Sequence, residues 1–499
     1  MAASLAKSLL ITAALAPAAV VGETVLGVTV FSRHGDRTSK HYPGYTLTNL
    51  GFQQVHQVGA AYRQTYLAAG APKQILGISE DKYVPAQLYA SAPDQMVLLN
   101  TATAFLQGLY PPLNEAGSNE DNNSLSIQTL NNGTTVSAPL EGYQYVVLHG
   151  ENTDSPQTIW IKGDDSCPAA SSAQKGYFQS SAYSTILSST KDFYAGLWDL
   201  VADVYDYKPE NMSYKNAYDI FDLINVASIH NQSFPGIKPQ DLAQLRTLAD
   251  SWEAGQNIDA ADPTDNKSIG GRTLAGAILN QLNQTVASSG KLKFSLFAGS
   301  YDTFMAFFGL SGLAKVSDNF NGLPDYASTM SFEIFTSDNV TAFPASTDDL
   351  QVRFLFRNGS DAGAPLAQFP LFGQPEAGMS WSTFVKEMQT RAITDVATWC
   401  SVCGSTEAFC PSSSSSSSPA GDASASSGSA SGGNVGGLSN TVAGVIGAMV
   451  TLAVLAICGF VFFLVRRGKR PAALGGAGAG GAEAARAAAL TKDKASFSS

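Results

Sequence analysis

Val25-Leu26-Gly27-Val28-Thr29-Val30-Phe31-Ser32-Arg33-His34-Gly35-Asp36-Arg37 is the stretch from which the rest of the chain can be read. Its first seven residues are nearly all apolar and rich in β-branched side chains, which predicts a strand covered on both faces. Polarity then changes abruptly: two arginines flank one histidine directly after the buried strand. Phosphoryl transfer requires a nucleophile with a free lone pair and dense positive charge around the equatorial oxygens. Neutral imidazole supplies the first, and planar guanidiniums supply the second through bidentate contacts. Gly35 predicts a tight turn that lets the flanking side chains converge. A merely polar loop could share this composition; its place at the end of a buried strand is what favours chemistry.

Working outward, Phe52, Val55, Val58, Tyr62 and Tyr66 recur at helical spacing, and Gly70 ends the pattern. A second strand-loop-helix unit follows late in the chain, with Phe294–Phe297 as strand and Thr303–Leu310 as the start of a helix. Strands at Ser331–Phe335 and Val352–Phe356 are expected to form an antiparallel pair. Helical patterns such as Asp241–Ala254 and Leu274–Val286 fill the region from about 150 to 285. The expected fold is α/β: a sheet with helices on both faces, active-site groups at the carboxyl ends of strands, and an inserted, mainly helical cap.

The chain of 499 residues, 44% of them hydrophobic, can bury a large core, and its net charge of −11 argues against a nucleic-acid partner. Lys7 followed by the apolar run Leu9–Val21 predicts a signal peptide over 1–22. Val442–Val465 is long and apolar enough to span a bilayer, and Arg466, Arg467, Lys469 and Arg470 follow at once. A GPI signal would end in its apolar tail, whereas a further tail, 466–499, follows here. The expectation is therefore a single-pass type I membrane protein, with a lumenal or extracellular domain at 23–410 and a Ser/Gly-rich stalk at 411–440. Eight N-glycosylation sequons, at Asn122, Asn132, Asn211, Asn231, Asn266, Asn283, Asn339 and Asn358, all fall between signal and span. Cys167, Cys400, Cys403 and Cys410 are lumenal and predict two disulfides in one of three pairings. The lone Cys400-x-x-Cys403 is a weak zinc or redox signal. No metal or cofactor is expected.

Arg33-His34-Gly35-x-Arg37 after a first strand resembles the signature of the histidine acid phosphatases, a branch of the histidine phosphatase superfamily. Leu47-Thr48-Asn49-Leu50-Gly51, Gln54, Gly59, Arg63 and the segment Phe105–Pro112 are similar to the family's following elements. The resemblance runs in patches from Val25 to about Trp399. It implies that His34 is a nucleophile forming a phosphohistidine, with Arg33 and Arg37 binding phosphate. The family's late His-Asp motif matches Tyr301-Asp302, which makes Asp302 the general acid; Asp302 could equally cap the following helix.

The sequence also departs from the family. Ser39 replaces a proline, and Tyr301 stands where the second histidine belongs, so that at most it offers one neutral hydrogen bond. A further phosphate-binding arginine is missing, since no Lys or Arg occurs between Lys82 and Lys162. Each lost donor is worth about 3–4 kcal/mol of transition-state stabilisation. His149 and His230 are left unassigned, while His41 and His56 look peripheral. The reading is an acid phosphatase acting on phosphate monoesters at the cell surface or in the secretory pathway. The alternative is a weakened or inactive relative that binds a phosphorylated ligand or acts as a surface scaffold.

Overall fold

The computed structural model describes residues 22–116, 125–259 and 261–411. The expected signal peptide, stalk, membrane span at 442–465 and cytosolic tail lie outside these residues, apart from Gly22 and Pro411 at the borders. Among the described residues no helix is long and apolar enough to cross a membrane.

The apolar opening stretch forms strand β1, Thr24–Arg33, which ends on the first arginine of the motif. The other strands of its sheet are β2 (Leu88–Pro93), β3 (His149–Glu151), β4 (Phe294–Gly299), β5 (Thr329–Thr336), β6 (Gln351–Arg357), β7 (Ala367–Phe369) and β8 (Gly378–Ser380). Their order is β8-β6-β5-β1-β4-β2-β3, with β7 also on β6. β1 is central: parallel to β4 on one side and antiparallel to β5 on the other. The expected antiparallel pair is β5 and β6, with Phe332 opposite Phe354. Arg33 pairs with Gly299, so the motif loop and the loop after β4 emerge side by side. That register is what brings residues so distant in sequence to one place.

Helices cover both faces. On one, α1 (Asn49–Tyr66) and α2 (Met96–Leu109) bury Val55, Val58, Tyr62, Tyr66 and Phe105 against Val28, Val30 and Leu296. Each such side chain contributes roughly 1.5–3 kcal/mol by leaving water. A bulge at Val25–Gly27 shifts the alternation, so Leu26 and Phe31 both reach the opposite core. Beyond α3 (Pro168–Gly176), helices α4 (Ala217–His230) and α5 (Pro239–Asn257) pack in a separate cluster around Tyr194, Tyr214, Phe221, Ile224 and Leu245. This is the cap. Tyr301 and Met305, from α7 (Tyr301–Leu310), belong to the same cluster and seat it beside the loop after β4.

Helix α6 (Ile269–Ala287) falls within the range expected for the cap, yet Leu274, Ile278 and Leu282 pack into the sheet core with Phe31, Phe297 and Phe332. It is buried on nearly every side, so its sequence carries no narrow stripe to say which layer it faces. On the same face, α8 (Trp381–Gln389) adds Phe384 and Met388 to that core. The last helix among the described residues, α9 (Val396–Cys403), is tied back by the disulfides Cys167–Cys403 and Cys400–Cys410. The two cysteines of Cys400-x-x-Cys403 therefore take different partners. Trp399 Nε1 donates to Gly163 O at 2.7 Å, which holds the loop before α3 against α9.

Candidate active site

The motif loop lies on the amino end of α1. A Cβ on Gly35 would come within 2.3 Å of Gly51 O, and one on Gly51 within 1.9 Å of Asp36 O. Gly35 thus permits two backbones to touch, a different reason from the tight turn expected of it. Thr48 caps α1 by accepting from Gly51 N at 3.1 Å and donates its hydroxyl to Asp36. Gln54 Oε1 accepts from Asp36 N at 2.7 Å. The loop is held before any ligand arrives.

Within it, His34 is 1% exposed. Its Nδ1 lies 2.8 Å from Gly35 O; a carbonyl can only accept, so Nδ1 carries the proton and Nε2 keeps the lone pair. Nε2 has no hydrogen-bond partner among the described residues. Burial first, then Arg33 and Arg37, pushes the imidazole well below its usual pKa and so favours its neutral form. Arg33 donates to Pro324 O and lies between the rings of Tyr301 and Tyr326, 5.2 and 4.8 Å from their centres. Tyr326 also packs beside His34, with ring centres 5.7 Å apart. The next residue, Ala327, has φ of 61° and donates its N–H to His34 O at 2.9 Å. A non-glycine residue there stores about 1–3 kcal/mol of strain, so the wall beside the histidine is held under tension.

Arg37 is fully buried and committed to the cap. It pairs with Asp222 at 2.9 Å and donates to Tyr218 Oη at 2.9 Å. Asp222 also accepts from Ser39 Oγ at 2.7 Å and Lys40 N at 2.8 Å. Ser39, where the family has proline, thus anchors the cap. His230, at the end of α4, bonds Asp36 at 2.6 Å, so the cap grips the motif at two points. His41 reaches Asp206 and Asp219, while His149 stacks on Tyr89 away from the motif.

Asp302 opens α7 but does not cap it. The N-cap is Ser300, and the only hydrogen bond to the Asp302 carboxylate among the described residues is from its neighbour Thr303 N, at 2.9 Å. Tyr301 turns its hydroxyl away and donates to Glu253 Oε1 at 2.7 Å, presenting its ring to Arg33 and Lys40. Sequence reasoning missed Lys40. Its ammonium lies 4.7 Å from the Tyr301 ring centre; burial lowers its pKa, while Asp302 and Glu253 pull it upward. Glu253 is pushed up to about 7, mainly by burial, as is Asp164, where Asp302 adds repulsion. Lys162 feels Asp302 and Asp164 and pairs with Asp165 at 2.7 Å. The segment Ser91–Leu98 supplies no cation, as its composition requires.

Known proteins are similar to this chain along most of its length. A lysosomal acid phosphatase of Xenopus laevis is 24% identical over 395 residues, covering 73% of this chain and 79% of that one. Among solved structures, the chain is similar to a phytase from Citrobacter braakii (TM-score 0.47, 13% identity, 75% of this chain and 99% of that one). It is also similar to a Hafnia alvei phytase in complex with myo-inositol hexakis sulphate (TM-score 0.45, 14% identity, 76% and 98% covered). A family model matches residues 41–357, more than half of the chain, beginning just after the motif. The protein belongs to the histidine phosphatase superfamily, branch 2.

Proposed function

We propose that this chain is an acid phosphatase that hydrolyses phosphate monoesters through a phosphohistidine on His34. The observation that carries the reading is the tautomer of His34: Nδ1 spends its proton on Gly35 O, and the Nε2 lone pair is left beside Arg33 and Arg37. Nε2 attacks phosphorus, the bond to the leaving oxygen breaks, and Asp302 delivers a proton to that oxygen. Water then attacks the phosphohistidine, gives its proton to Asp302 and releases inorganic phosphate with neutral His34. Arg33, Arg37 and Lys40 supply the positive charge around the transferring group. Arg33 Nε and Arg37 Nε are buried without partners among the described residues, free for phosphate oxygens. Lys40 takes part of the load left by the missing arginine and by Tyr301.

The enzyme domain faces the lumen or exterior, on a single-pass anchor at 442–465. The two disulfides and the exposed sequons Asn132, Asn231, Asn283 and Asn339 support that compartment and N-linked glycans. One observation favours the second reading, a surface protein that binds a phosphorylated ligand without turning it over: His34 is nearly inaccessible and Arg37 is already ion-paired. Turnover of a generic aryl phosphate between roughly pH 3 and 7 separates the two. The enzyme reading expects activity that His34→Ala removes; equal background rates from both proteins would leave the binding reading.

A further inference from the structure

A cavity on the α6 face of the sheet differs in chemistry from the site. It holds about 280 Å³ and is bounded by α6, β2, β4 and the turn at Pro156–Trp160. None of its lining residues is charged, whereas Asp222, Arg246, Asp325 and Asp361 line the cavity beside Arg33. Here the polar groups are four carboxamides, Gln157, Asn280, Gln281 and Gln284, with the hydroxyl of Thr394, and the flat surfaces are the rings of Tyr89 and Trp160.

Two features show that the cavity is built. Gln281 is 5% exposed, and its Oε1 accepts from Ser295 Oγ at 3.1 Å, which fixes the amide plane. Gln281 lines the cavity, and its Nε2 donates to no group among the described residues. With Oε1 taken by Ser295, the amide keeps its N–H donors for a ligand acceptor. Trp160 is oriented likewise: its Nε1 donates to Gln157 Oε1 at 3.1 Å, and Gly276 lets it lie on α6, where a Cβ would meet the indole at 3.3 Å. Tyr89 is braced by His149, stacked at 5.2 Å, and by Phe297, edge-on at 6.0 Å.

Rigid aromatic faces with planar amides, and no charge, suit a ligand that has apolar C–H faces and a rim of hydroxyls. We propose that this cavity binds a neutral pyranose ring. The face of one ring lies on Trp160 or Tyr89, and its hydroxyls exchange hydrogen bonds with Gln281, Asn280 and Gln284. The cavity is at the small end of ligand pockets, which run roughly 300–1,000 Å³, so one ring is its capacity. The ring could come from a free or partner-borne glycan, or from a glycan on Asn283, an exposed sequon one turn beyond Asn280 on α6.

The test uses the purified full-length chain in a detergent without a sugar headgroup, with saturation-transfer NMR against glucose, mannose, galactose and N-acetylglucosamine. At least one pyranose should receive saturation, and Asn280→Ala and Trp160→Ala should each cut the signal at least about fivefold. Activity on an aryl phosphate should not change, because neither residue reaches the motif. If Trp160→Ala fails to fold, the surface change Asn280→Ala decides alone. Binding by the unaltered chain points to an external glycan; binding that emerges only in Asn283→Gln means that the chain's own glycan fills the cavity. Absence of saturation transfer in both proteins, or equal transfer in Asn280→Ala, overturns the proposal.

Discussion

The two ends of β1 each meet a cluster of buried charge, and the clusters are resolved in opposite ways. At the amino-terminal half, Glu333 is fully buried and accepts from Tyr66 Oη, Arg353 and Lys73, the last at 3.0 Å. Arg353 in turn grips Glu23 with two bonds of 2.7 and 2.8 Å. None of those groups is left without a partner. At the carboxyl end, Arg33 Nε, His34 Nε2, Asp36 Oδ1 and Arg37 Nε are all buried and unpartnered among the described residues. Four open atoms within five residues is far from the usual satisfaction of buried polar groups. The first cluster stabilises the sheet; in the second, the two open guanidinium N–H groups can donate to phosphate oxygens, and the His34 Nε2 lone pair is left for phosphorus.

The contrast can be broken from either end. His34→Ala at the open end should lower kcat on an aryl phosphate by on the order of 10⁴-fold or more, with little change in the melting temperature. Arg353→Ala at the closed end should do the reverse. Removing one partner of a buried pair costs about 3–5 kcal/mol, so chemical denaturation should shift strongly while kcat per folded molecule holds. If Arg353→Ala lost activity without losing stability, the division of labour would be wrong.

Smaller effects sharpen the picture. Lys40→Met should reduce kcat by about 10²-fold, the worth of one electrostatic donor, and Lys40→Arg should restore part of it. An unchanged rate in Lys40→Met would remove Lys40 from the phosphate site. Glu253 gives the smallest effect. Its pKa is raised to about 7, chiefly by burial and partly by Asp302. The folded state therefore binds more protons than the unfolded chain between about 4.5 and 7, so stability falls as pH rises through that window. Melting temperatures of the parent should decline from pH 5 to 8, and Glu253→Gln should flatten the slope; equal slopes would contradict the assignment.

What was legible in the sequence was local. An apolar run of seven residues can be read as a buried strand, and its abrupt end on Arg33 marks the motif, because both signals lie within neighbouring residues. The period of Val55, Val58, Tyr62 and Tyr66 gives α1 for the same reason. Lys40 follows Arg37 by three positions, yet its place depends on Tyr301 and Glu253, more than two hundred residues away. Asp222, Tyr218 and His230 reach the motif only because the cap folds over it, and no local pattern announces that. Ser300, not Asp302, stands at the N-cap position of α7, though its side chain makes no capping bond, because the backbone conformation and not the residue type sets where the helix begins. Nor could composition choose among three disulfide pairings; the docking of α9 beside Cys167 does.

The account rests on covalent chemistry at His34, and one measurement addresses it directly. The full-length protein is mixed with ³²P-labelled aryl phosphate at acid pH and quenched within a turnover, and the labelled peptide is sequenced by mass spectrometry. The expected result is a phosphoryl group on His34, stable to alkali, labile to acid and absent from His34→Ala. Label on another residue, or hydrolysis of substrate with no phosphoenzyme and the same rate in His34→Ala, would contradict it.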